Sequence, residues 1–198
     1  MENLVFTLSG KFGSGKDTCA EMIKQYCESI EMSVFKLAFA DALKMHCIRN
    51  FGYENKETDR HILQEFGSKV REVEEDFWVR QTYITIDAFR NMFDVFVISD
   101  VRYPNEKQPY PFRLCYPIVN IYVNRDVEDK DNELRTHESE VMANNADPSD
   151  FHYFVDNNGT LEETYRQIVD IVNDVLIKKY EFLEAQRWLK EEVGEVNE

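Results

Sequence analysis

The sequence predicts an α/β protein built on a five-stranded parallel sheet with helices on both faces. Three observations predict it. Short apolar runs recur along the chain, separated by segments whose apolar residues fall three and four apart. The cleanest run, Val95-Phe96-Val97-Ile98, is apolar throughout, as a strand covered on both faces must be. A glycine-rich turn, Gly10 to Gly15, joins the first run to the first helical segment. Strands alternating with helices close into a parallel sheet through right-handed crossovers.

Leu4-Val5-Phe6-Thr7-Leu8 runs into Ser9-Gly10 and reads as a buried strand entering a tight turn. Ala20, Ile23, Tyr26 and Cys27 keep helical spacing over Asp17 to Ile30. Val34-Phe35-Lys36-Leu37 is the second strand. Leu43 and Cys47 place a helix over Asp41 to Asn50, which Phe51-Gly52 ends. Thr58 to Glu75 is charged, with Ile62, Phe66, Val70 and Val73 as an apolar stripe. Trp78 to Met92 is a further helix, with Val79, Ile86 and Phe93 facing inward. Val95 to Ile98 is the third strand. Pro104, Pro109, Pro111 and Pro117 mark 103–117 as an irregular loop. Ile118 to Val123 is the fourth strand and Phe151 to Val155 the fifth; between them, 124–150 is polar and acidic. After the turn Asn157-Asn158-Gly159, Thr160 opens a long helix with Leu161, Tyr165, Ile168, Val172 and Val175 inward. Glu163 lies three residues past Thr160, the spacing of a capping box.

The chain has 198 residues, enough to bury a core without disulfides. Lys and Arg number 23 and Asp and Glu 38, a formal net charge of −15. That balance argues against an extended nucleic acid as partner, which needs a basic face, and against an anionic membrane surface. No run of about 18 apolar residues is present to span a bilayer, and Met1-Glu2-Asn3 lacks the basic start of a signal peptide. Cys19, Cys27, Cys47 and Cys115 are scattered, with no C-x-x-C pair and no His cluster. A reducing, cytoplasmic setting is therefore expected rather than zinc or a disulfide framework. The charge is uneven. Residues 126–150 and 174–198 together carry −10 of the −15, while the first 125 residues are nearly balanced. A small anionic ligand is compatible with that balanced part.

The segment Gly10-Lys11-Phe12-Gly13-Ser14-Gly15-Lys16-Asp17-Thr18 has the G-x-x-x-x-G-K spacing of a phosphate-binding Walker A loop. Glycines let successive backbone N–H groups face a phosphate. The following helix adds its positive N-terminal end, and Lys16 is a mobile point charge for the β- and γ-phosphates of ATP. The segment departs from the common motif at Asp17, where Ser or Thr usually holds Mg²⁺. Asp17 is expected to hold the ion through water, with Thr18 taking a phosphate.

Further segments stand in the same order along the chain. Gln64-Glu65-Phe66-Gly67-Ser68 leads to Arg71 and Phe77-Trp78. Val97-Ile98-Ser99-Asp100-Val101-Arg102-Tyr103-Pro104-Asn105-Glu106 follows, then His137-Glu138-Ser139-Glu140, then Asp156 to Glu163. With the Lys-Asp-Thr form of the phosphate loop, these resemble the deoxynucleoside monophosphate kinases of bacteriophages, within the P-loop nucleoside monophosphate kinase superfamily. The resemblance covers roughly residues 3–173. It implies a three-layer P-loop fold with a lid insertion at about 124–150, and leaves 174–198 as a C-terminal helical extension. It also implies transfer of the γ-phosphoryl group of ATP to a deoxynucleoside 5′-monophosphate, with Mg²⁺.

Each remaining candidate carries two readings. Asp100 closes the most apolar strand, and ligands of open α/β sheets bind beyond the carboxyl ends of strands. Its carboxylate suits Mg²⁺ or the waters of the ion; a helix cap is the other reading. Arg102, two residues on, is expected on the same strand face, binding the acceptor phosphate or pairing with Asp100. Arg71 suits bidentate phosphate binding or an i,i+4 pair with Glu75. The resemblance places Lys44 and Arg49 near the monophosphate site, although either fits a solvated charge. It also puts Arg125 and Arg135 on the lid, where they would stabilise charge on the transferring group alongside Lys16 and Asp100. His137 and Glu140 match the pattern, and Glu140 is carried as a substrate-site candidate. Trp78 is either core or a base-stacking platform. Rival readings are a P-loop kinase of another small phosphorylated acceptor and a non-catalytic nucleotide-binding module. The stripe Tyr180, Leu183 and Trp188 either folds back on the domain or meets a partner chain, which keeps a homodimer open.

Overall fold

The computed structural model describes residues 3–54, 59–108, 117–126 and 147–195. Five parallel strands form one sheet: β1 (Leu4–Ser9), β2 (Val34–Leu37), β3 (Val95–Ile98), β4 (Ile118–Asn124) and β5 (Tyr153–Asp156), in the order β2-β3-β1-β4-β5. β1 is central. Phe6 stands opposite Val97 of β3 and Val119 of β4. Every residue of β1 and β3 is buried, so these two strands are covered on both faces.

Helices cover both faces. On one face α1 (Lys16–Ser29) and the first half of α5 (Leu161–Glu195) pack Ala20, Ile23, Ile168 and Val172 against Leu4, Phe6, Leu8 and Ile121. On the other, α2 (Phe39–Phe51) and α4 (Phe77–Phe89) pack Phe39, Val79, Tyr83 and Ile86 against Val5, Phe96 and Ile98. Each such fully buried aliphatic side chain is worth about 1.5–3 kcal/mol over an exposed one. The expected three-layer α/β arrangement is the observed one.

Several boundaries and faces differ from expectation. α3 runs Arg60–Val73, and Val73 is 89% exposed because the helix ends there, so the apolar stripe stops at Val70. The fifth strand starts two residues later, at Tyr153, since a 3-10 turn at Pro148–Asp150 precedes it. Leu161 is exposed in the first turn of α5, while Ile168, Val172 and Val175 are buried as expected. α5 does not stop at the edge of the domain. It continues as one helix of 35 residues, and among the described side chains its burial ends at Val175. The stripe beyond does not fold back: Tyr180 and Trp188 are 65% and 59% exposed. Trp78 lies in the core, its indole N–H donating to the Gly67 carbonyl at 3.2 Å. Among the described residues no helix is long and apolar enough to cross a membrane.

Candidate active site

The order β2-β3-β1-β4-β5 puts a topological switch point beside β1, whose carboxyl end opens into the glycine-rich loop. Gly10 and Gly15 take φ of +145° and +95°, which other residues resist. A Cβ on Gly10 would meet the Val123 carbonyl oxygen at 2.3 Å, and one on Gly15 would meet Asn157 Nδ2 at 2.2 Å. The loop is thus seated against the end of β4 and the turn after β5. Asn157 secures it. Its Nδ2 donates to the Ser14 carbonyl at 2.7 Å, its Oδ1 accepts from the Thr164 hydroxyl at 2.9 Å, and its own amide donates to the Asn124 carbonyl at 2.8 Å.

Lys16 opens α1 and folds back over this cradle. Its ammonium donates to the Gly10 and Lys11 carbonyls at 2.7 and 2.9 Å. Ser14 is fully buried, and among the described residues its Oγ finds no hydrogen-bond partner. A buried hydroxyl without a partner calls for an explanation, and an oxyanion in the cradle supplies one. Gly13, Asp17 and Thr18 are exposed at the same place. The Asp17 carboxylate accepts from the Ser99 hydroxyl at 2.7 Å, which ties the first turn of α1 to the chain just past β3.

That stretch past β3 also organises the opposite side of the crevice. The two Asp100 carboxylate oxygens accept from the amides of Phe39 and Ala40, at 2.7 and 2.9 Å. Ala38, the residue before α2, has no side-chain acceptor, so Asp100 caps α2 from another element. The cap reading of Asp100 is therefore the one its hydrogen bonds show. Burial pushes its carboxyl up from the ordinary value, with the two amides opposing. β3 ends at Ile98, so Arg102 does not share a strand face with Asp100 as expected; its charge nonetheless acts on that carboxylate.

Arg71 does not pair with Glu75. Its Nη2 donates to Glu106 Oε1 at 2.9 Å, and its guanidinium lies over the Tyr103 ring at 4.1 Å. Its Nη1 is buried and has no hydrogen-bond partner among the described residues. Glu106 is 1% exposed, and its Oε2 accepts from the amides of Arg102 and Tyr103 at 2.7 and 3.1 Å. Burial pushes its carboxyl up to about 7, against the opposing charge of Arg71.

The other candidates are less engaged. Lys44 makes an i,i+3 pair with Asp41 at 3.0 Å, and Arg49 is exposed in the last turn of α2. Arg125 is exposed just past β4, where the neighbouring Asp126 amide donates to Asn158 Oδ1 at 2.7 Å. Arg135, His137 and Glu140 lie outside the described residues. The structure thus gathers Gly10 to Thr18 with Ser99 and Asp100, sets Arg71 beside the 102–106 turn, and keeps Lys44 and Arg125 solvated. Ser99, Tyr103, Glu106 and Asn157 were missed as site residues by sequence reasoning. All four stand in segments that carry the resemblance, but no local pattern assigns Glu106 a partner 35 residues away.

No protein-family model matches the chain, and no curated protein matches it. Among solved structures it is similar to APE1195, at a TM-score of 0.51 and 18% identity over 88% of this chain and 97% of that one. That likeness shows the fold. Lower scores link it to a cysteine-to-alanine mutant of the Mycobacterium tuberculosis APS kinase CysC (TM-score 0.47, 10% identity, 87% and 99% covered). Shikimate kinase from Acinetobacter baumannii, in complex with shikimate, follows (TM-score 0.45, 15% identity, 89% and 95% covered).

Proposed function

We propose that the protein transfers the γ-phosphoryl group of ATP to a deoxynucleoside 5′-monophosphate, releasing ADP and a deoxynucleoside diphosphate. The observation that carries the reading is the cradle after β1. Glycines at positive φ, a buried Ser14 hydroxyl without a partner among the described residues, and Lys16 lying over the loop together fit an oligophosphate. Lys16 would exchange its two loop carbonyls for phosphate oxygens when ATP enters. Arg71 and Arg102 serve the acceptor phosphate, and the motifs from Gln64 to Glu163 support a nucleotide acceptor.

Mg²⁺ takes one or two carboxylates, substrate phosphates and several waters rather than an all-protein cage. Among the described residues no cluster of three or more metal-binding side chains is present. The exposed Asp17 carboxylate at the cradle fits that donor set, whereas both Asp100 oxygens already accept from amides of α2. When bound, the ion neutralises charge on the β- and γ-phosphates. The acceptor phosphate oxygen is already a competent nucleophile near neutral pH, so the work left to the chain is in-line positioning and charge stabilisation. Arg125 and Arg135 are proposed to close over the junction.

The test is ADP release with ATP and Mg²⁺ across a panel of deoxynucleoside and nucleoside monophosphates and non-nucleotide phosphorylated alcohols. Turnover with a deoxynucleoside monophosphate is expected. Turnover only with a non-nucleotide, or tight ATP binding with no acceptor-dependent ADP release, would falsify the reading.

A further inference from the structure

We propose that Glu106 is a positioning residue that holds Arg71 ready for the acceptor anion. The inference rests on the acceptor-phosphate reading of Arg71 given above. α3 is rich in acid around Arg71, with Glu72 before its end and Glu74 and Glu75 beyond it, so a solvated pair was within easy reach. The guanidinium is instead drawn inward, its side chain 19% exposed, onto a carboxylate that is 1% exposed. A buried charge pair adds little stability over a well-packed apolar one, so its retention points to a task beyond folding.

The geometry says what that task is. Glu106 Oε2 is fixed by two backbone amides of its own turn, which leaves Oε1 for Arg71 Nη2. The Tyr103 ring lies against the guanidinium, 4.1 Å from its central carbon. With one nitrogen held and a ring against the group, the other nitrogen, Nη1, remains buried with no acceptor among the described residues. What that end of the fork lacks is an oxyanion, and a fork already held loses less freedom on taking one. The same stretch of chain bonds to α1 through Ser99 and Asp17. It therefore links the helix that follows the phosphate loop to the arginine across the crevice.

Glu106→Gln tests this in the full chain. Gln keeps one carbonyl oxygen for the two turn amides but presents an NH₂ group to Nη2, which cannot accept it. The KM for the deoxynucleoside monophosphate should rise by about tenfold or more, the loss of a charge-assisted hydrogen bond, while the KM for ATP stays within about twofold. In an Arg71→Ala background Glu106→Gln should add nothing to the acceptor KM. An unchanged acceptor KM, equal rises for both substrates, or full additivity with Arg71→Ala overturns the positioning role. A second measurement needs neither turnover nor a folded variant. In ¹⁵N-labelled wild-type protein the Arg71 Nε–Hε signal should show slowed guanidinium rotation and should shift on titration with inorganic phosphate. A freely rotating Arg71, or one that phosphate leaves unmoved, overturns the inference. Wild-type protein that turns over no nucleotide while this signal responds to phosphate overturns the proposed function and leaves the positioning role supported.

Discussion

Lys16 and the glycines around it bear the most direct consequences of a single side chain. Lys16→Ala removes the ammonium lying over the cradle, and kcat/KM for ATP should fall by about 10²–10³-fold with the melting temperature nearly unchanged. Gly15→Ala differs in kind. At φ +95° a Cβ is strained and meets Asn157 Nδ2, so stability should drop by roughly 1–3 kcal/mol and nucleotide affinity with it. Gly52→Ala, at φ +68° with nothing within 4 Å, carries the backbone strain alone and should leave nucleotide affinity intact. Thermal melts with nucleotide titration separate the two. Glu106 adds a pH dependence. Its carboxyl is raised from 4.5 to about 7, so between those values the native state keeps a proton that the unfolded chain has released. Stability conferred by this group is present below that window and falls as pH rises through about 7. The loss is on the order of 3 kcal/mol, at about 1.4 kcal/mol per pH unit. Denaturant melts of wild type and Glu106→Gln between pH 4.5 and 8 should differ by that slope; parallel curves would show that the carboxyl is not raised.

At the scale of elements, the stretch just after β3 matters most. It bonds to α1 through Ser99, to α2 through Asp100 and to α3 through Glu106. Asp100→Ala should therefore behave first as the loss of a helix cap. Two amides of α2 lose their acceptor, at a cost of roughly 1–3 kcal/mol. Hydrogen exchange should speed up at Phe39 and Ala40 and stay unchanged across α1. Had Asp100 been a metal ligand alone, its removal would spare those two amides. The Asp100→Asn variant, with one carbonyl oxygen left, should fall between wild type and alanine.

For the whole molecule, α5 divides into a buried half and an exposed half. Among the described side chains burial stops at Val175, whereas Ile177, Tyr180, Phe182 and Trp188 are all more than half exposed. A chain ended after Lys179 keeps the Asp174–Lys178 pair and, among the described side chains, all the buried ones of the helix. It should melt within about 2 °C of the full chain, since surface changes of this sort lie within about ±0.5 kcal/mol, and ATP turnover should be unaltered. Sedimentation of the two chains tests the homodimer expectation directly. A full chain heavier than its 23.5 kDa monomer and a truncated chain of one-copy mass would place self-association on this stripe.

The sequence by itself determined the layers and the cradle. Period-two and period-3.6 patterns are local, and β1, its glycine turn and α1 are contiguous, so Leu4 to Ser29 could be read from neighbours alone. The capping box of Thr160 and Glu163 was legible for the same reason, its partners being three residues apart. Tertiary structure decided the partners. Asp100 is an acceptor for α2 because Ala38 cannot cap its own helix, and Arg71 belongs to Glu106 rather than Glu75 because β3 delivers the 102–106 turn against α3. Buried polar groups take whichever partner the fold brings within about 3 Å, and sequence spacing does not encode that distance between residues on different elements.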